Sequence, residues 1–246
     1  MEGFLAGLLA VDVICYNKYM ENILPPDYRG PASWTTVAKE AQIEFEERRS
    51  RFIGICLPLT SGEEAEARLT QCRAGYPDAR HWVYAWRHIF PEIGGKYSDD
   101  GEPKGTAGLP VLDVLRKGGV DQAQILVVRY FGGILLGTGG LVKCYTQAAV
   151  QALAAAGLVT MVLQLKMRVM VSYAVYDSLR YKLEAAGFHQ EAADFGLDVE
   201  WLVALDPARE GELRAIVAEQ SQGQGICLPE GLAYAPKVAD ELGGID

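Results

Sequence analysis

The stretch SDDGEPKGTAGLP at residues 98–110, followed by ILVVRYFGGILLGTGGLVKCY at residues 125–145, decides the fold of the first half of the chain. Between the two glycine-rich segments, Ile125–Val128 is an unbroken aliphatic run, which is typical of a strand covered on both faces. After the second segment, apolar residues recur with helical spacing from Leu141 to Ala156, and Gly157 ends the predicted helix. A globular core does not need glycine at this density, so we expect this region to shape a binding surface.

Strands that alternate apolar and polar residues lie upstream of this stretch. Residues 35–47 alternate in this way, and residues 50–59 follow as a more apolar strand, so the sequence predicts an antiparallel pair. Residues 81–90 alternate again, which places successive side chains on opposite faces of the sheet. The first half therefore contains antiparallel strands as well as the buried one.

Helices and a loop complete the first half. Ser61 and Glu64 form a capping box at the start of a helix. Residues 91–105 are rich in polar residues and are expected to form a loop. Pro110 suits the first turn of a further helix, which ends before Gly118. The first domain thus packs helices against an antiparallel sheet.

Beyond Gly157 the pattern restarts with a second set of elements. The predicted order is a strand at 163–173, a helix at 176–186, two short strands about Gly196 within 190–205, a helix at 207–220 and a weak strand at 225–228. This βαββαβ order is that of the ferredoxin-like fold.

We therefore predict an α+β protein of two domains, residues 34–158 and residues 163–246. An extension, residues 1–33, precedes them; it contains several prolines and no periodicity, so we expect it to be poorly ordered. The sequence leaves open whether the natural start is Met1 or Met20.

Acidic residues outnumber basic ones, and the excess lies mainly in the second half. The chain has 32 Asp and Glu against 23 Lys and Arg, a net charge of −9. Residues 1–160 carry 18 acidic and 16 basic side chains, a net of −2, whereas residues 161–246 carry 14 and 7, a net of −7. Because phosphate neutralisation supplies most nonspecific nucleic-acid affinity, this balance argues against such binding except at a local basic patch.

Several features predict a cytoplasmic protein. No run of about 18 uncharged apolar residues occurs, so we expect no membrane span. The apolar N-terminal segment has Glu2 where a signal peptide would be basic, and no small-residue cleavage site follows. The five cysteines are scattered, odd in number and without a CxxC pair, which favours reduced thiols in the core.

Five glycines lie between the buried strand and the long helix: Gly132, Gly133, Gly137, Gly139 and Gly140. Backbone N–H groups at the N-terminus of the helix would form an anion site there. A tight turn with close strand-to-helix packing would require glycine for purely steric reasons. The chain has no Walker lysine pattern and no GxGxxG, so both interpretations stay open.

Arg129 interrupts the apolar strand, and Tyr130 and Phe131 follow it at the end of the strand. A guanidinium beside aromatic rings is suited to stacking bases and binding phosphates. It is equally suited to a structural ion pair with a carboxylate of the 99–102 loop. The sequence does not separate these two roles.

The candidate metal ligands of the first half are three carboxylates and two histidines: Asp99, Asp100, Glu102, His81 and His88. Hard cations prefer oxygen ligands, but no ligand motif with fixed spacing is present. Asp and Gly are also common in turns. We therefore predict no metal and no cofactor, and the chain has no GxSxG, HExxH or Cys–His pattern that would indicate a catalytic nucleophile.

Residues 98–108 and 126–145, the spacing between them from Gly108 through Leu115, and His81 before an aromatic strand together resemble the IMPACT/YigZ family. The resemblance covers about residues 34–156. It implies a first domain similar to the second domain of ribosomal protein S5. It also implies a ferredoxin-like second domain similar to a late domain of elongation factor G. Eukaryotic relatives restrain a stress-kinase pathway through a ribosome-associated activator, so the resemblance implies a role linked to translation.

The chain departs from the family pattern at two positions. Leu135 stands where many relatives have lysine, and Lys104 stands where a small residue is common. A basic patch therefore depends on whether Lys96, Lys104, Arg129 and Lys143 come together.

The first hypothesis is a non-catalytic binding protein of translation regulation, which engages RNA, the ribosome or a translation factor through the glycine-rich face. The second is an enzyme that binds a nucleotide or a phosphorylated small molecule at the same loop, with Asp99 or Asp100 as base. The third is a scaffold that docks a regulatory protein on its acidic second domain. The predicted binding residues are His81, Lys96, Asp99, Asp100, Gly101, Glu102, Lys104, Gly105, Thr106, Arg129, Tyr130, Phe131, Gly132, Gly133, Gly137, Thr138, Gly139, Gly140 and Lys143.

Overall fold

The computed structural model describes residue 24 and residues 30–89 and 93–237. These divide into two compact units, which consist mainly of residues 34–161 and residues 162–235. The predicted disorder of residues 1–33, and the choice between two starting methionines, lie almost entirely outside the described residues. No helix in the described ranges is both long enough and apolar enough to cross a bilayer.

The first unit contains strands β1 to β6, helices α1 to α3 and the start of β7. Its elements are β1 (Ser33–Val37), β2 (Ala41–Glu47), β3 (Ser50–Pro58), α1 (Gly62–Gly75), β4 (His81–His88), β5 (Gly94–Ser98), α2 (Gly108–Lys117), β6 (Ala123–Tyr130) and α3 (Gly137–Ala156). Its five-stranded antiparallel sheet has the order β2-β3-β6-β4-β5.

Helices cover both faces of this sheet, with β6 at its centre. Residues of α2 and α3 pack with Val83, Ala85 and Val127 on one face. Residues of α1 pack with Tyr84 and Trp86 on the other. The prediction of a strand covered on both faces is confirmed, since Ile125–Val128 are at most 2% exposed. The predicted cap is present too, because Ser61 Oγ accepts from the Glu64 N–H at 3.2 Å, and the Glu64 carboxylate accepts from the Thr60 N–H at 2.9 Å.

Three boundaries of the first unit differ from the prediction. The region 91–105, expected to be a loop, contains β5, which escapes detection because its glycines carry no alternating pattern. Residues 35–47 contribute to two strands, because β1 and β2 belong to different sheets. Helix α3 begins at Gly137 rather than Leu141, so three of the five clustered glycines lie in its first turn.

The second unit has the βαββαβ order that the sequence predicts. Its elements are β7 (Leu158–Val171), α4 (Tyr173–Ala185), β8 (His189–Gln190), β9 (Asp194–Phe195), β10 (Val199–Leu205), a 3-10 turn (Pro207–Arg209), α5 (Glu210–Gln220) and β11 (Ile226–Pro236). The strand order β11-β7-β10-β8 is the 4-1-3-2 order of a ferredoxin-like sheet, and the short strand β9 pairs, like β8, with β10. The predicted α+β class is therefore confirmed.

Three boundaries of the second unit differ from the prediction as well. Strand β7 is longer at its start, and β1 pairs with it. Helix α4 begins at Tyr173, which was predicted to end the preceding strand. The weak last strand predicted at 225–228 extends to Pro236, because Pro229 and Gly231 hide its continuation.

Candidate functional site

A cleft of about 400 Å³ lies beside the glycine-rich turn, at the start of α3. Three segments line it: the adjoining ends of β4 and β6, the loop of residues 99–107 before α2, which we call the acidic loop, and the turn that leads into α3. The lining residues are Arg80, His81, Glu102, Pro103, Arg129, Phe131, Leu135, Leu136, Gly137, Thr138 and Leu141. The lining therefore combines charged side chains, the first residues of a helix and apolar side chains.

The base of the cleft is a row of side chains across three strands. Arg129 on β6 pairs in register with Phe52 on β3 and with His81 on β4. Residues directly opposite in neighbouring strands project to the same face of a sheet. Because Phe52 packs in the core beneath α2 and α3, this row lies on the face covered by those helices.

Arg129 is buried, with 4% of its surface exposed, and most of its guanidinium is held by neighbours. One terminal nitrogen donates to Glu102 Oε1 at 2.6 Å and the other to Ser50 Oγ at 3.3 Å. Its Cζ lies 5.5 Å from the ring centre of Phe52 and 5.6 Å from that of Phe131. The Nε–H has no acceptor among the described residues. Of the two roles left open by the sequence, an ion pair with the acidic loop is therefore present.

Glu102 joins the acidic loop to both β6 and α3. Its Oε1 accepts from Arg129 and from the Tyr145 hydroxyl, the latter at 2.7 Å. Burial, followed by the charge of Glu102, raises the pKa of the Tyr145 phenol, and Arg129 opposes this shift. The phenol therefore stays protonated and remains a hydrogen-bond donor at physiological pH.

His81 is held in one tautomer by the acidic loop. Its Nδ1 lies 2.8 Å from the carbonyl oxygen of Asp100, and a carbonyl can only accept, so Nδ1 carries the proton. Its Nε2 lies 3.7 Å from Glu102 Oε1, which is too far for a hydrogen bond. A neutral His81 consequently presents an unprotonated Nε2 at the cleft.

The two aspartates of the loop stabilise its backbone. Asp99 accepts from the N–H groups of Gly105, Ala107 and Gly108, and so caps the start of α2. The Asp100 carboxylate accepts from the Trp82 N–H at 2.7 Å and from Arg73 at 2.8 Å. Asp99 and Asp100 do not appear among the residues that line the cleft.

The glycine-rich turn combines steric and conformational requirements. A Cβ on Gly132 would lie 1.9 Å from the carbonyl oxygen of Arg49, so no other residue fits there. Gly133 and Gly137 have φ of +84° and +71°, a conformation that favours glycine. Gly139 has neither constraint, since its Cβ would meet no atom within 4 Å. The steric interpretation thus explains part of the cluster and leaves Gly139 without a packing reason.

Helix α3 starts without a side-chain cap. Its N-cap residue, Leu136, makes no such hydrogen bond. The first N–H groups of a helix have no acceptor within the helix, and Gly137 and Thr138 line the cleft. Near this end, burial raises the pKa of the Cys144 thiol and Glu47 adds to the shift, while Arg129, Lys143 and Arg48 oppose it.

The structure brings together six of the predicted binding residues at the cleft: His81, Glu102, Arg129, Phe131, Gly137 and Thr138. Gly101, Gly105 and Thr106 shape the acidic loop, where Gly101 lies against the His81 ring and Thr106 donates to the Pro103 carbonyl. Lys104 and Lys143 are exposed.

Lys96 and Tyr130 lie on the other face of the sheet. Lys96 Nζ donates to Glu66 of α1 at 2.7 Å and lies over the Tyr84 ring. Tyr130 packs with the cluster beneath α1. Lys96 and Arg129 therefore lie on opposite faces of the sheet, so Lys96, Lys104, Arg129 and Lys143 do not all come together in one basic patch.

Sequence reasoning missed other residues of the site. Arg80, Pro103, Leu136 and Leu141 line the cleft, and Tyr145 holds Glu102. The helical spacing from Leu141 to Tyr145 indicated that both lie on one face of α3. No sequence signal pointed to Arg80, because a basic residue before a strand is common.

No group of three or more His, Cys, Asp or Glu in the described ranges could hold a metal ion. The cysteines at 56, 72, 144 and 227 are free thiols.

Residues 48–153, which include the whole cleft, match the family model described as the Impact N-terminal domain. The chain is 46% identical over 123 residues to the IMPACT family member YigZ of Escherichia coli, a match that spans 49% of this chain and 60% of that protein. It is 37% identical over 164 residues to an IMPACT family member of Thermus thermophilus, across 67% of this chain and 88% of that protein.

A solved structure resembles the chain over more of its length. A crystal structure described as that of a hypothetical protein is 35% identical, with a TM-score of 0.54, and the match covers 80% of this chain and 97% of that one. The Bacillus subtilis family member YvyE is 27% identical over 210 residues, across 85% of this chain and 97% of that protein. The similarity therefore extends through both units.

Proposed function

The chain belongs to the IMPACT family, and from that premise we propose that it is a non-catalytic, cytoplasmic binding protein of translation regulation. It engages RNA, free or in the ribosome, through the glycine-rich face, which we define as residues 131–143 with the cleft beside them. The link to translation follows the role that the family resemblance implies.

One observation carries the proposal: the uncapped start of α3 opens on a cleft that also holds Arg80 and Arg129. The start of a helix carries a partial positive charge and free N–H donors. Glu102 offsets the charge of Arg129, while Arg80 adds a second cation at the rim. An anionic partner can bind an otherwise acidic protein at such a local excess of positive charge.

Exposed apolar side chains beside the cleft support RNA as the anion. Phe131 is 45% exposed and Leu135 is 80% exposed. Aromatic side chains next to cationic groups bind single-stranded nucleic acid, because every base can stack on them. A translation factor with an acidic segment would meet the same charges but would gain nothing from stacking on Phe131.

The enzyme hypothesis has less support. Its proposed bases, Asp99 and Asp100, accept hydrogen bonds that fix the loop and the start of α2. A general base must reach the reacting proton directly or through one water, and the carboxylate that lines the cleft is instead Glu102.

The test removes two exposed cations from the glycine-rich face. Arg80→Ala with Lys143→Ala should weaken binding of single-stranded RNA by about 1.5–3 kcal/mol for each charge-assisted contact that is lost. It should also reduce the slope of log affinity against log salt by about one per lost phosphate contact. Fluorescence anisotropy at two salt concentrations measures both quantities, and cosedimentation with ribosomes repeats the comparison on the assembled particle.

A matched control removes the same charge from the far end of α2. Arg116→Ala with Lys117→Ala changes two exposed cations and should leave binding unchanged. Equal affinity of the first double variant and the wild type at both salt concentrations would show that the face does not bind RNA.

A further inference from the structure

The size and lining of the cleft suggest which part of an RNA it would hold. Its volume, about 400 Å³, lies within the range of small-molecule sites, roughly 300–1,000 Å³. A strand that passes through a binding groove needs room for several nucleotides. We propose that the cleft binds one nucleoside monophosphate group, with its phosphate at the start of α3 and its base on Phe131. The inference rests on the proposed function and names the group that the glycine-rich face recognises.

The first support is an unsatisfied donor in the cleft. Arg129 is 4% exposed, and its Nε–H has no acceptor in the part of the chain that the structure describes. Buried donors of this kind are rarely left without a partner. Glu102 and Ser50 already accept from the two terminal nitrogens, and the Nε atom itself has almost no accessible surface. An anion oxygen in the cleft would therefore reach the Nε–H after a small shift of the side chains around Arg129.

The second support is the start of α3. Gly137 and Thr138 line the cleft, and Leu136 supplies no side-chain cap. Gly137 has open space where its Cβ would lie. Its absent side chain lets a ligand approach the backbone amides closely.

The third support is the mixed chemistry of the lining. Arg80, His81 and Arg129 contribute polar groups to it, and Phe131 and Leu135 contribute apolar surface. A nucleoside monophosphate needs both, since its phosphate is charged and its base has two apolar faces. The only carboxylate in the described lining, that of Glu102, is already bound to Arg129 and Tyr145.

The same group has two sources, a free mononucleotide and the 5′ end of an RNA chain. Isothermal titration of the full chain with AMP, adenosine and inorganic phosphate tests the group itself. Titration with a hexa-adenylate that carries either a 5′-phosphate or a 5′-hydroxyl tests the RNA end. We expect AMP to bind at least about tenfold more tightly than adenosine, as for the loss of one charge-assisted contact.

Two variants locate the binding. Arg80→Ala should weaken AMP binding and leave the weaker adenosine binding unchanged. Phe131→Ala should weaken both by roughly tenfold, the effect of one lost stacking contact. Lys117→Ala is the control for charge and should change neither.

Tighter binding of the 5′-phosphorylated oligomer assigns the site to RNA ends, whereas AMP binding without that preference assigns it to the free nucleotide; either supports the inference. AMP that binds no better than adenosine overturns it. If AMP binds no better than adenosine while both oligomers bind the wild type and lose affinity in the Arg80 and Lys143 double variant, the proposed function stands and this inference fails. If neither RNA nor AMP binds, both fail.

Discussion

A single oxygen atom, Glu102 Oε1, accepts hydrogen bonds from two elements of the first unit. Arg129 reaches it from β6 and Tyr145 reaches it from α3. Both side chains are buried, as is the carboxylate. The acidic loop is therefore held by charge as well as by its own turns.

Removal of Arg129 should be costly. In Arg129→Ala the buried Glu102 carboxylate loses its cation, and breaking a buried ion pair on one side costs about 3–5 kcal/mol. Urea unfolding measures the change in free energy. Arg51→Ala breaks the exposed pair with Glu44 and should stay close to wild-type stability. Similar stabilities of the two variants would contradict a structural role for Arg129.

At the residue scale, the sequence identified Arg129 and the loop that holds its partner, but not which of the carboxylates Asp99, Asp100 and Glu102 pairs with it. A cation in an apolar strand is unusual, and that alone marked it. Glu102 and Tyr145 lie 27 and 43 residues from the groups they bind. Such pairs depend on how strands and helices are brought together, which local patterns do not specify.

At the scale of elements, prediction worked where side chains alternate or recur and failed where glycine or proline replaces them. The strand Ile125–Val128 and the α1 capping box were predicted because apolar runs and caps have physical signatures. The strand β5 begins with two glycines, and the start of α3 holds three. Tertiary pairing decides the conformation of such residues.

Two glycines of the same turn should respond in opposite ways to alanine. In Gly132→Ala the new methyl group meets the Arg49 carbonyl oxygen, and the forced shift should cost about 1–3 kcal/mol of unfolding free energy. In Gly139→Ala the methyl group enters open space, and the higher helix propensity of alanine should stabilise the protein by up to about 1 kcal/mol. Thermal and urea unfolding of both variants measure the contrast. A destabilised Gly139→Ala would mean that packing does require that glycine.

At the scale of the whole molecule, buried thiols should lower the free energy of unfolding at alkaline pH. Burial raises the pKa of Cys56 from 9.0 to about 12. Above pH 9 the thiol loses its proton in the unfolded chain but keeps it in the folded protein. The contribution of this protonated thiol to the free energy of unfolding is therefore complete below pH 9 and is lost between pH 9 and 12. At pH 10 this loss amounts to about 1.4 kcal/mol.

Urea unfolding at pH 7.5 and pH 10 tests this contribution. In Cys56→Ala, the fall in stability between the two values should be smaller than in the wild type by that amount. Val83→Ala also truncates a fully buried side chain but removes no titrating group, so its fall should equal that of the wild type. If Cys56→Ala loses as much stability between pH 7.5 and pH 10 as the wild type and Val83→Ala do, the prediction is wrong.

Strand β7 constrains how this chain can change in length. It runs without a break from Leu158 to Val171, so the boundary between the two units at residues 161 and 162 lies inside a strand. One inserted residue there would turn every later side chain of β7 to the other face, and buried Val169 would exchange places with Arg168. Proteins of two domains commonly gain and lose residues at the linker between them. In this fold such events must instead fall in turns such as the one about Gly196, which leaves β7 with a fixed number of residues.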